Sequence, residues 1–104
     1  MTQFNLNNYM AHNRADDGRI NTIKCVDGFT ISVQASDYHY ATLAEDGTGY
    51  SHVECGFPSQ VPEFIMDYAE DANFPTGTVY GRVPIELVES LITLHNNLLY
   101  ALIV

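Results

Sequence analysis

The chain has no tryptophan, only two cysteines and only four lysine or arginine residues. The scarcity of bases and that of cysteines each removes a class of protein. A nucleic-acid duplex or an RNA is held mainly by basic side chains that neutralise phosphates. Four such residues cannot do that well, which argues against direct nucleic-acid binding and, for the same reason, against docking on an anionic membrane surface. Two cysteines are too few for a disulfide scaffold. Cys25 lies beside Val26 and Cys55 near Val53, and cysteines in such surroundings behave as small hydrophobes. No apolar run reaches the roughly 18 residues that a membrane span needs. The longest candidate, Leu87–Val104, is interrupted by Glu89, His95, Asn96 and Asn97, which leaves Leu98–Val104 as the continuous apolar tail. Met1–Asn8 is polar and lacks the basic cluster and apolar stretch of an export signal. The expected location is a reducing cytoplasm, in which both cysteines stay thiols.

What is present suffices for one folded domain. The 104 residues are 46% hydrophobic and 16% charged, which supplies a core and argues against intrinsic disorder. No internal repeat or low-complexity segment divides the chain.

Leu6, Tyr9, Met10 and Asn13 fall on one face of a short N-terminal helix. Asn21–Val26 and Phe29–Ala35 are β-rich runs separated by Asp27-Gly28, the signal of a two-residue hairpin loop with positive φ at both positions. In the second run Phe29, Ile31, Val33 and Ala35 alternate with Thr30, Ser32 and Gln34. Tyr50–Phe57 reads as a third strand, with Ser51, Val53 and Cys55 on one face. Val61–Asp71 reads as an amphipathic helix: Pro62 suits its first turn, Val61, Phe64, Ile65 and Tyr68 form the apolar stripe, and Glu63, Asp67, Glu70 and Asp71 stand opposite. Thr78–Val83 is a fourth strand, with Val79, Gly81 and Val83 alternating against Thr78, Tyr80 and Arg82. Pro84 opens a last helix running to His95 or on to Ala101. The expected fold is α+β, a small antiparallel sheet of about four strands with two helices packed on one face.

The parts of the common catalytic sites are missing. There is no G-x-S-x-G, no phosphate-cradling glycine loop with lysine, and no H-E-x-x-H. Cys25, Cys55, His12, His39 and His52 include enough ligands for a zinc site, but the close ligand pairs of a standard one are absent. A pair such as Cys55 with His39 has nothing local to activate a thiolate. The expectation is a protein that is not an enzyme and holds neither metal nor cofactor.

The acidic surplus is the most informative feature. Thirteen aspartates and glutamates face four bases, a formal net charge of −9. Glu70 and Asp71 stand at the end of the expected helix where anions are unfavourable. An unpaired anionic surface attracts basic ones and speeds encounter with them. Nucleic-acid-binding proteins carry such basic surfaces, so an acidic domain can occupy them as a DNA mimic. Glu63, Asp67, Glu70 and Asp71 are the candidate contact row, with Tyr68 and Tyr80 as anchors. Leu98–Val104 is the candidate contact for self-association.

Gly56-Phe57-Pro58-Ser59, Glu63-Phe64-Ile65-Met66-Asp67-Tyr68-Ala69-Glu70 and Thr78-Val79-Tyr80-Gly81-Arg82-Val83-Pro84 resemble small orphan proteins of phages and prophages, among them anti-CRISPR and other anti-defence inhibitors. The likeness covers about half of the chain and carries over no site residue. It implies an inhibitor that binds a host protein.

Overall fold

The computed structural model describes residues 4–95. Its elements run in the order α1 (Leu6–His12), β1 (Ile23–Lys24), β2 (Thr30–Gln34), β3 (Thr42–Leu43), β4 (Tyr50–Gly56), a 3-10 helix (Glu63–Tyr68), β5 (Val79–Pro84) and α2 (Ile85–Leu94). All strand pairings are antiparallel. The fold is α+β, with five strands among the described residues.

β4 is the central strand. Gly56 pairs with Ser32 of β2 and with Val79 of β5, so those strands lie on opposite edges of β4. His52 pairs with Thr42 of β3 and with Pro84 of β5, which places β3 on the β2 side. β1 extends the sheet beyond β2. α2 packs on β4 and β5, the 3-10 helix packs on α2 and β5, and α1 packs on α2.

The alternation along β2 is the one expected. Phe29, Ile31, Val33 and Ala35 are buried, and across the sheet Val53 and Cys55 join them. Val88, Leu91 and Ile92 of α2 close over the same core, with Leu6 and Met10 of α1 at one side. Asn5 caps α1 by accepting from the Asn8 amide at 2.8 Å. α2 ends at His95 as its C-cap. Its continuation toward Ala101, and the apolar tail Leu98–Val104, lie outside the described residues.

Three expectations are corrected. The β1–β2 loop holds three residues rather than two. The Gly28 amide donates to the Cys25 carbonyl at 3.0 Å, and the Cys25 amide donates to Phe29 at 2.8 Å. Only Gly28 has positive φ, at 98°, the pattern of a turn followed by one left-handed residue. Asp27 supports it by accepting from the Phe29 amide at 3.0 Å.

The second correction concerns β5. Val53 faces Val83 and Cys55 faces Tyr80, two residues apart on β4 but three apart on β5. The extra residue is a bulge at Gly81–Arg82, where Arg82 has φ 49°. The bulge resets the alternation, so Tyr80 and Val83 both point into the core.

The third is the helix expected over Val61–Asp71. Helical structure covers only Glu63–Tyr68 and is 3-10. At three residues per turn, side chains three apart eclipse. Ile65 and Tyr68 form the inner row, and Phe64 and Asp67 an outer one. Val61 and Phe64, expected on the buried stripe, are exposed. Ala69 is already extended, and the Glu70 amide donates to the Val79 carbonyl at 3.0 Å. Glu70 and Asp71 therefore follow the helix and run beside β5.

Candidate protein-interaction surface

The acidic side chains divide into two groups. Six of the thirteen hold the fold together. Asp17, Asp27, Asp46 and Asp71 each accept from the amide two residues ahead, those of Arg19, Phe29, Thr48 and Asn73. Glu54 accepts from the Tyr40 amide at 3.2 Å, and Glu89 accepts from the Leu6 amide at 2.9 Å, tying α1 to α2. Part of the acidic surplus is therefore turn and capping chemistry.

The other seven, Asp16, Asp37, Glu45, Glu63, Asp67, Glu70 and Glu86, make no hydrogen bond or ion pair within the described residues. No lysine or arginine there is ion-paired with a carboxylate. The single ion-pair geometry is His95 Nδ1 to Asp27 Oδ2 at 2.7 Å. The His95 ring stacks on Phe29 with centroids 3.9 Å apart. Asp27's carboxyl lies below its ordinary range because the Phe29 amide and then the His95 ring donate to it.

Three of the seven unengaged carboxylates sit within eight residues. Glu63 and Asp67 are exposed on the 3-10 helix, and Glu70 is exposed just beyond it. Asp71 is exposed too, with one oxygen engaged at Asn73 and its amide donating to Thr78 Oγ1 at 3.1 Å. Tyr68 is half-buried beside them.

Tyr80 does not belong to this surface. It is fully buried, and its hydroxyl donates to the Pro75 carbonyl at 2.5 Å. The strand-phase shift at the bulge explains this, and burial raises the pKa of its phenol. The expected anchor role for Tyr80 is withdrawn.

Tyr40 is exposed near Tyr68. A shallow depression of about 270 Å³ is lined by Tyr40, Tyr68, Ala69, Glu70, Gly81 and Arg82. The Arg82 amide donates to the Tyr40 carbonyl at 2.9 Å. The Arg82 guanidinium donates to the Ala41 carbonyl at 3.0 Å and to Thr42 Oγ1 at 2.8 Å. A Cβ at Gly81 would meet Tyr40 at 3.4 Å, so glycine lets that residue lie close over the bulge. The sequence does not by itself place Tyr40 and Arg82 beside Tyr68 and Glu70. A glycine inside a strand, here Gly81, is a bulge signal.

The thiols have no nucleophilic setting. Burial raises the Cys55 thiol far above its ordinary value and, with a smaller push from Asp27, lifts Cys25 to about 12. His39 Nδ1 is engaged by Ser36 Oγ at 2.6 Å rather than by Cys55. Among the described residues no group of three His, Cys, Asp or Glu side chains is placed to hold a metal ion. No described helix is long and apolar enough to cross a membrane.

Comparison with known proteins finds no matching family model, no matching curated protein and no matching solved structure.

Proposed function

We propose that this chain is a non-enzymatic binding protein that occupies a basic, nucleic-acid-binding surface of a partner protein, as a phage-type inhibitor of a host defence protein would. The observation that carries the reading is the unengaged state of Glu63, Asp67 and Glu70 within one short segment. These carboxylates take no part in the fold's own hydrogen bonding, and none of them is ion-paired with a lysine or arginine of the described residues. Such charges are open to a positive partner and steer its approach. Tyr68 and Tyr40, on the rim of the depression, add amphipathic contact area of the kind enriched at interfaces.

The test is a comparison of retained proteins. The immobilised wild-type chain and an E63Q/D67N/E70Q variant are exposed to the same cell lysate at low salt. The reading predicts proteins held by the wild type, released as salt rises, and absent from the variant. Equal retention by both chains contradicts it.

A further inference from the structure

Three of the four histidines bond to neutral groups. His12 Nδ1 meets the Asn8 carbonyl at 2.8 Å, His39 Nδ1 the Ser36 hydroxyl at 2.6 Å, and His52 Nδ1 the Ser51 hydroxyl at 2.7 Å. Among the described residues only His95 meets a carboxylate, that of Asp27, 68 positions away in sequence. Its side chain is 12% exposed, and its ring lies flat on Phe29, the two planes 7° apart. Phe29 is fully buried, so the His95 ring covers an edge of the core.

His95 is also the C-cap of α2, and its amide donates to the Ile92 carbonyl at 3.1 Å. A proton on this imidazole therefore faces two negative groups at once, the Asp27 carboxylate and the carbonyl end of the helix. No base competes for either. The last turn of α2 has no basic residue, and no lysine or arginine of the described residues pairs with Asp27. The elements packed on α2 carry Glu63 and Asp67 on the 3-10 helix, His52 and Glu54 on β4, Arg82 on β5 and His12 on α1, and none of these ion-pairs with His95 or Asp27. Cys25, two residues before Asp27, is a thiol that burial keeps protonated.

We propose that His95 and Asp27 form a proton-operated latch, which fastens the end of α2 to the β1–β2 hairpin and slackens as pH rises through neutrality. Imidazole is the side chain that ordinarily changes charge between about pH 5 and 8. Asp27 stays ionised over that range, so the proton on the ring decides whether the contact is a full ion pair. The neutral ring can still donate from Nδ1, but the charge that balances the carboxylate and the helix end is gone. The stabilisation is thus present at the acid end of the range and lost at the basic end. Val26 and Leu94, the residues before Asp27 and His95, are already exposed. Opening the latch adds Phe29 to them, so the proton controls how much apolar surface this edge of the core presents.

The experiment compares thermal melts of the full chain at about pH 6 and about pH 8, on either side of neutrality. The chains are wild type, H95Q, D27N and the double variant. Glutamine keeps a donor but has no proton to gain. The melting-temperature advantage of wild type over H95Q is expected to be about 3 to 6 °C greater at the lower pH. Between D27N and the double variant, more than half of that difference is expected to vanish. An advantage equal at the two pH values, or one that D27N leaves undiminished, overturns the latch. If H95Q does not fold, the gap between wild type and D27N decides: a wider gap at the lower pH supports the latch, and an equal gap overturns it.

Discussion

The side-chain amide of Asn7 pairs with the peptide group of Tyr50 as a neighbouring strand would. Its Oδ1 accepts from the Tyr50 amide at 2.9 Å, and its Nδ2 donates to the Tyr50 carbonyl at 3.0 Å. Gln34 repeats the device at Ile20, accepting at 2.9 Å and donating at 2.8 Å. One pair fastens α1 to the start of β4, and the other fastens the α1–β1 connection to β2. Both stand in for ladder bonds where no strand is available.

Removing either amide leaves peptide groups without partners. Asn7→Asp keeps the acceptor but loses the donor, and is expected to cost about 1 to 2 kcal/mol. Gln34→Leu leaves the buried Ile20 amide and carbonyl unpaired and is expected to cost more, about 2 to 4 kcal/mol. Urea unfolding curves check both, and the expected order is wild type, then N7D, then Q34L.

Gly49 sits directly under this clasp. Its φ is 106°, and a Cβ there would stand 2.6 Å from Asn7 Oδ1. Gly49→Ala therefore combines backbone strain with a clash and is expected to lower stability by about 2 kcal/mol or more. Gly47→Ala, at φ 76° with open space around it, pays the strain alone and is expected to cost less. Thermal melts of the two variants side by side test the difference.

Cys25 and Cys55 are buried, and burial holds both thiols well above their ordinary pKa. A thiol reagent added to native protein at neutral pH is expected to label neither at an appreciable rate, because the thiolate is the reactive form. The same reagent in denaturant is expected to label both. Fast labelling of the native chain would contradict this placement.

Asp27 gives the hairpin a pH dependence of defined sign. Its folded pKa is depressed, first by the Phe29 amide and then by His95. The stabilisation is therefore present above the unfolded value, near 3.8, and is lost as pH falls through the folded value. D27N is expected to show a shallower loss of melting temperature than the wild type below about pH 4. Parallel slopes would contradict the assignment.

Local signals made much of the fold legible. The position of the hairpin at Asp27-Gly28, though not its loop length, the β2 alternation, the inward face of β4 and the span of α2 to His95 all follow from period and punctuation. What stayed hidden depends on partners distant in sequence. Thr42–Leu43 becomes a strand only because β4 offers His52 and Tyr50. The bulge that buries Tyr80 is fixed by its pairing with Cys55. The segment after Pro62 has an α-helical apolar period, yet its end is drawn into extended pairing with β5 at Ala69–Tyr80, which leaves room for only a short 3-10 turn. The exposure of the candidate contact residues was legible to the same degree. Glu63, Asp67, Glu70 and Asp71 are exposed as expected, whereas Tyr80 is buried and it is Tyr40 that a loop crossing brings to Gly81.

Competition with DNA tests the central claim most directly. Proteins held by the immobilised wild-type chain at low salt are challenged with duplex DNA, and in parallel with an uncharged polymer at equal mass. The account predicts that duplex DNA releases them and the polymer does not, because chain and nucleic acid compete for one basic surface. Retention undiminished by excess DNA would contradict it.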